Sequence, residues 1–133
     1  EHDNRNGGFS DGKPWLPVPP EHLPRAVSAV AGDPQGLTEH YRRAIALRHA
    51  HEALLSGEQT GMHADGTVIR FVRNGGGERV FVAVNLSDRP VTIERPGPGW
   101  SVIGAELGSS GPGKDGRIQL EPWQCSLLAA PKE

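Results

Sequence analysis

The spacing of hydrophobic and polar residues along this chain changes character once, near Gly57. Before that point Leu37, Tyr41, Ala44, Ile45 and the aliphatic stem of Arg48 recur at intervals of three and four, while Glu39, His40, Arg42, Arg43 and His49 fall elsewhere. That spacing predicts one amphipathic helix with a single apolar stripe. Asp33 and Pro34 mark its start, because the carboxylate is placed to cap free backbone N–H groups and a proline at the first helical position sacrifices no hydrogen bond. The expected helix, Pro34 to Ala50, has roughly 17 residues and a length of about 25 Å.

Beyond Gly57 the runs are short, β-branched and separated by turn-forming clusters. Strands are expected at Gln59 to Met62, Thr67 to Arg73, Arg79 to Leu86, Pro90 to Glu94, Ser101 to Ile103, Arg117 to Leu120 and Gln124 to Ala129. Ala64-Asp65-Gly66, Asn74 to Gly77, Ser87-Asp88-Arg89, Pro96 to Gly99 and Ser109 to Gly116 break them. Strands at this spacing with no helix between them predict an antiparallel sandwich. The chain thus divides into residues 1–56, irregular and helical, and residues 57–133, all β.

Composition narrows the functional classes. With 133 residues the chain can bury a modest core, and Gly and Pro together, about 23% of it, make it rich in turns. A formal charge of −2 gives no global attraction to nucleic acid or anionic membranes. Arg42, Arg43 and Arg48 read as a solvated helix face. No run approaches the ~18 apolar residues of a membrane span. Cys125 has no partner for an intrachain disulfide and sits in the apolar run Trp123 to Ala130, so it reads as a buried free thiol and favours a reducing, cytoplasmic compartment.

The first seventeen residues, EHDNRNGGFSDGKPWLP, are built differently. Asn, Gly, Asp and Ser punctuate two large apolar anchors, Phe9 and Trp15, before Pro14 and Pro17 stiffen the exit. This is the composition of an ordered irregular loop. It holds too few apolar residues to order itself, so something upstream is expected to hold it.

NGGFSDGKPWLPV followed by GDPQGLTEHYRRAIALRHAHEAL resembles the C-terminal stretch of α-glucosidases of glycoside hydrolase family 13, the α-amylase superfamily, and in particular oligo-1,6-glucosidases. Those enzymes carry Asn-Ala/Gly-Gly-Phe-Ser/Thr, then Pro-Trp-Leu/Ile-x-Val, Asp-Pro-x-Ser-Leu and Tyr-Arg-x-Leu-Ile-x-Leu-Arg in this order. The likeness covers Glu1 to Leu54 apart from the variable Pro19 to Ala31, and continues more loosely through VFVAVNL and LEPWQCSLL. Gly36 and Ala44 stand where the family usually has Ser and Leu, and Trp123-Gln124 where Tyr-Glu is common.

The resemblance implies an α+β chain: the loop and last helix of a (β/α)8 barrel, then an all-β antiparallel C-terminal sandwich. Barrel active sites lie on the face formed by the loops that follow the strands, so the resemblance implies that Asp3, Asn6 and Phe9 border a sugar pocket. A retaining glycosidase needs two carboxyls ~5 Å apart, one as nucleophile and one as acid/base. In the family they come from earlier barrel strands, so no catalytic residue is expected among these 133. The expected partner is the N-terminal catalytic portion of the same enzyme, with α-linked glucosides as substrate.

Other candidates for chemistry are weaker. Glu1, Asp3 and Asp11 read as solvated loop or rim carboxylates, since nothing adjacent would raise their pKa by burial. His49 and His51 are two residues apart, about 200° around a helix, and His40 brings no ligand set, so no metal or cofactor is expected. Gly75-Gly76-Gly77 lacks the Lys-Ser/Thr of a phosphate cradle and reads as a hairpin turn. Trp15 reads as a packing anchor at the loop exit. Three alternatives stay open: a trehalose synthase or sucrose isomerase of the same family, a free-standing carbohydrate-binding sandwich, and a noncatalytic relative such as a transporter heavy chain.

Overall fold

The computed structural model describes residues 5–132, and its residues group into two compact units divided between Arg43 and Ala44. The first unit opens with a short turn at Arg5–Gly8, followed by a 3-10 helix at Pro20–Arg25 and a single helical turn, α1, at Val27–Val30. Both latter elements lie in the connection where no helix was expected. They are too short to generate a detectable period.

Helix α2 runs from Leu37 to Ala50 and straddles the division. It starts three residues later than the pattern predicts. The Asp33 carboxylate accepts the Gln35 N–H at 2.9 Å and the Asp33 carbonyl accepts the Gly36 N–H at 2.9 Å, so Pro34 to Gly36 form a tight turn ahead of the helix. Asp33 spends its side chain on that turn, and is not the cap.

The second unit contains seven strands: β1 Glu58–Asp65, β2 Val68–Gly75, β3 Glu78–Asn85, β4 Val91–Glu94, β5 Ser101–Val102, β6 Arg117–Leu120 and β7 Cys125–Pro131. Each lies within a few residues of an expected run. They form a five-stranded sheet in the order β1-β2-β3-β7-β5 and a two-stranded sheet of β4 and β6, every pair antiparallel. Gly75 pairs with Glu78, leaving Gly76 and Gly77 at φ 61° and 78° as the two corner residues of the β2–β3 hairpin. A two-residue turn with both corners at positive φ matches the right-handed twist of its strands, and glycine adopts it without steric cost.

Strand β3 explains the layering. Val80 to Ala83 are all buried, because both faces of the strand are covered. Phe81 and Ala83 turn into one core with Val68, Ile118, Leu120 and Leu128, closed by the small sheet through Val91 and Ile93. Val80 and Val82 turn the other way, toward Ala53 and Leu54 of a short helix, α3, at Glu52–Leu55. The sandwich is thus one side of the large sheet, and a helix sits on the other.

Helix α3 is seated by close approach of backbone. A side chain on Gly57 would meet the Asn74 carbonyl at 2.7 Å and run into that of Ala53, and one on Gly76 would collide with Glu52. Arg73 Nε donates to the Ala53 carbonyl at 3.1 Å, while the Glu78 carboxylate accepts the Ala53 N–H at 3.3 Å and lies 2.9 Å from His51 Nδ1. The edges of the large sheet differ: β5 has two residues, whereas β1 has eight, all exposed, with a register shift between Thr60 and His63 where Gly61 takes φ 60°.

One buried polar side chain ties the far end of β3 to the β6–β7 turn. Asn85 is fully buried and donates to the carbonyls of Arg89 at 2.7 Å and Glu121 at 3.0 Å, with that of Leu120 at 3.4 Å. Its Oδ1 accepts the Ser87 N–H and hydroxyl at 3.1 and 2.7 Å. Replacing Asn85 by Ala strands these groups in the interior and is expected to cost about 2–4 kcal/mol. Urea unfolding should give a lower midpoint at unchanged slope.

Candidate functional site

The residues implied as a pocket rim fall on the opening loop. Asp3 lies outside the described residues, whereas Asn6 and Phe9 lie within them. The loop backbone there is left-handed: Asn6 has φ 53°, ψ 32°, Gly7 φ 65°, ψ 18°, and Gly8 φ 77°. Three such residues in a row suit Asn-Gly-Gly, since glycine carries no Cβ and Asn is among the few other residues that tolerate this region. The Asn6 carbonyl accepts the Phe9 N–H at 3.2 Å and closes the turn.

Asn6 then reaches across the loop. Its Nδ2 donates to the Ser10 carbonyl at 2.6 Å and the Gly12 carbonyl at 2.8 Å, and the Ser10 hydroxyl accepts the Gly12 N–H at 3.1 Å. Phe9 and Trp15 project from this frame, each 94% exposed, around a depression lined also by Lys13, Leu16 and Val18. Trp15 was expected to anchor the loop by packing. Among the described residues nothing covers it, although Pro14 beside it is half-buried.

A second uncovered surface is the stripe of α2. Leu37, Tyr41 and Ile45 are 70%, 61% and 56% exposed. The side of the helix carrying Leu47 faces the β domain, where Leu47 Cδ2 stands 2.9 Å from the position a Cβ on Gly104 would occupy. Two residues of helix turn through about 200°, so Ile45 points away from the surface that Leu47 touches. Sequence periodicity identified this stripe and its composition, but not that Leu47 stands against Gly104.

No three His, Cys, Asp or Glu residues come together as a metal site among the described residues. His51 is engaged with Glu78 beside α3. Arg117 pairs with Glu94 at 3.0 Å on the small sheet, an exposed pair of little energetic weight. No helix is long and apolar enough to cross a membrane among the described residues.

Cys125 is half-buried rather than sealed in the core. Burial pushes its thiol above the ordinary range, partly offset by a backbone hydrogen bond that favours the thiolate. Burial is the larger effect, so the net direction is toward an inert thiol.

An antiparallel sandwich preceded by a helix with an exposed apolar row is the architecture to be matched with known proteins. Residues 56–127 match the family described as a domain of unknown function, DUF3459. The chain belongs to this family, and its resemblance to the C-terminal segment of family 13 α-glucosidases is borne out. It is 44% identical over 91 residues to a probable alpha-glucosidase of Rhizobium meliloti (strain 1021), a match covering 68% of this chain and 16% of the relative. An oligo-1,6-glucosidase of Parageobacillus thermoglucosidasius is 30% identical over 95 residues, covering 71% and 17% respectively. The crystal structure of an alpha-glucosyl transfer enzyme, XgtA, superposes with a TM-score of 0.79 at 28% identity, over 92% of this chain and 23% of that one. The chain therefore spans about a sixth of the length of the curated relatives it matches.

The raised thiol pKa gives a direct expectation. At pH 8 less of Cys125 is thiolate than in a free thiol, so iodoacetamide should modify it more slowly than glutathione. In denaturant, where desolvation is lost, its rate should rise to that of glutathione.

Proposed function

We propose that this chain is the C-terminal part of a retaining α-glucosidase that hydrolyses α-glucosidic bonds of oligosaccharides. In this reading residues 1–56 supply the loop after the last barrel strand and the last barrel helix, and residues 57–133 form the stabilising β domain. Asp3, Asn6 and Phe9 stand on the segment that borders the sugar pocket. The natural partner is the catalytic portion of the same protein, which carries the carboxylate pair ~5 Å apart that a retaining mechanism needs. The assembled enzyme takes α-linked glucosides, with a free thiol at Cys125 in keeping with the cytoplasm.

The observation that carries this reading is the exposed row of Leu37, Tyr41 and Ile45 on a helix whose other side is already occupied. Burying each such side chain contributes about 1.5–3 kcal/mol. A helix left with its apolar stripe in water forgoes that contribution, so a complementary surface must cover it. A barrel wall supplies one. A second reading, glucosyl transfer to another sugar in place of water, is supported by the likeness to the transfer enzyme XgtA. Both use one covalent glucosyl intermediate, and they differ in whether water or an acceptor hydroxyl reaches it.

Three measurements test the reading. The chain alone should not hydrolyse an aryl α-glucoside, and turnover that follows this polypeptide through purification would refute the proposal. Mixed with a separately expressed catalytic portion, it should form a 1:1 complex and restore hydrolysis of α-linked glucosides. Two folded pieces that show no association at micromolar concentration would point to an independent sugar-binding module. Finally, Ile45→Ala should cost this chain less than the ~2–5 kcal/mol of a fully buried site, and reach that range in the complete enzyme. Equal, small losses in both would remove the barrel-facing helix.

A further inference from the structure

The rim reading treats Asn6 as a residue that touches sugar, but its side chain is already committed. A primary amide has two N–H donors. Both of those on Asn6 are directed at carbonyls of its own loop, Ser10 at 2.6 Å and Gly12 at 2.8 Å. An amide in this state has no N–H left for a substrate hydroxyl. What it does is bridge the two ends of the segment from Ser10 to Gly12 back to the left-handed turn at Asn6 to Gly8, with Phe9 at the junction.

Resting on the glucosidase reading above, we propose that Asn6 is a positioning residue: a staple that fixes the loop so that Phe9 stands at the rim of the glucoside pocket. Three features converge on Asn. The backbone at φ 53° excludes most side chains but admits Asn. The two acceptors are carbonyls, so the group facing them must donate twice. The reach is short, because Asn6 must bond four and six residues ahead without leaving its own turn. Asp has the shape and tolerates the backbone, yet its carboxylate only accepts and would face two carbonyl oxygens. Gly tolerates the backbone and has no donors at all.

Phe9 is the group whose placement depends on this. It follows the left-handed residues directly, and its N–H closes the turn onto the Asn6 carbonyl at 3.2 Å. Its ring is 94% exposed, so no packing among the described residues fixes its direction. The fixed elements are the turn and the staple. Without them the ring samples many orientations, and ordering it on substrate binding has an entropic cost that appears in KM.

The test uses the complete enzyme with Asn6→Gly, Asn6→Asp and Phe9→Ala. Asn6→Gly removes both donors while leaving the left-handed backbone unstrained, so it separates the staple from the turn. Chymotrypsin cleavage of the Phe9–Ser10 bond reads loop order without reference to activity. Hydrolysis of an aryl α-glucoside reads KM and kcat. Both Asn6 variants should be cleaved faster after Phe9 than the wild type, with KM raised roughly tenfold and kcat nearly unchanged, an effect the size of one well-placed hydrogen bond. Phe9→Ala should reproduce the KM effect. Unchanged cleavage in Asn6→Gly and Asn6→Asp would overturn the staple. Faster cleavage with unchanged KM would overturn its positioning role, and a fall in kcat at constant KM would do the same. An inactive wild-type enzyme would instead remove the glucosidase reading and the rim role with it, while the cleavage rates still decide whether Asn6 holds the loop.

Discussion

Coverage of β3 on both faces is the constraint on which the rest of the β domain depends. A strand reading VFVAV has no polar side to offer water, so its sheet must be enclosed from above and below. The small sheet of β4 and β6 closes one side through Ile118 and Leu120. Closing the other requires a helix, which is why α3 presses Ala53 onto Val80 and Val82. The glycines at 57, 75 and 76 follow from that approach, since a side chain on Gly57 or Gly75 would meet backbone of α3 and its exit, and one on Gly76 would meet the Glu52 side chain. The polar contacts of Arg73 and Glu78 with Ala53 then satisfy helix-end groups that the approach takes out of water.

Much of this was legible in the sequence. Short β-branched runs bounded by turn-forming clusters located the seven strands described, because hairpin chemistry is local and the turn residues are chosen by backbone angle. Boundaries were less legible. Asp33-Pro34 has the signature of a helix start, yet Asp33 is equally suited to close a turn on Gln35, and local competition between the two decided in favour of the turn. The helical segments at Pro20–Arg25, Val27–Val30 and Glu52–Leu55 escaped because a period needs more than one turn to be visible. Ala53 is the instructive omission: a small residue in a four-residue helix is fully buried and central to a core, and no pattern marks it.

The site was legible to a different degree. The motif NGGFS drew attention to Asn6 and Phe9, but the part Asn6 plays depends on where the Ser10 and Gly12 carbonyls point, and that is a property of the folded loop. The same residues could have been read as a left-handed turn from Asn-Gly-Gly alone. Trp15 shows the opposite limit. Prolines on either side made it look like a packing anchor, whereas among the described residues its ring is exposed. A similar mismatch holds for Leu37, Tyr41 and Ile45, whose periodicity announces burial and which stay exposed among the described residues.

The two margins of the large sheet are blunted in unlike ways. Strand β5 is simply too short to template a newcomer. Strand β1 is long, but Gly61 breaks its ladder with a bulge, and Glu58, His63 and Asp65 set ionisable groups along it. Neither margin therefore offers the flat, unbroken row of N–H and C=O groups from which cross-β fibres grow. The same two devices leave the sheet's width fixed at five strands, because neither margin presents a template on which a sixth could be laid.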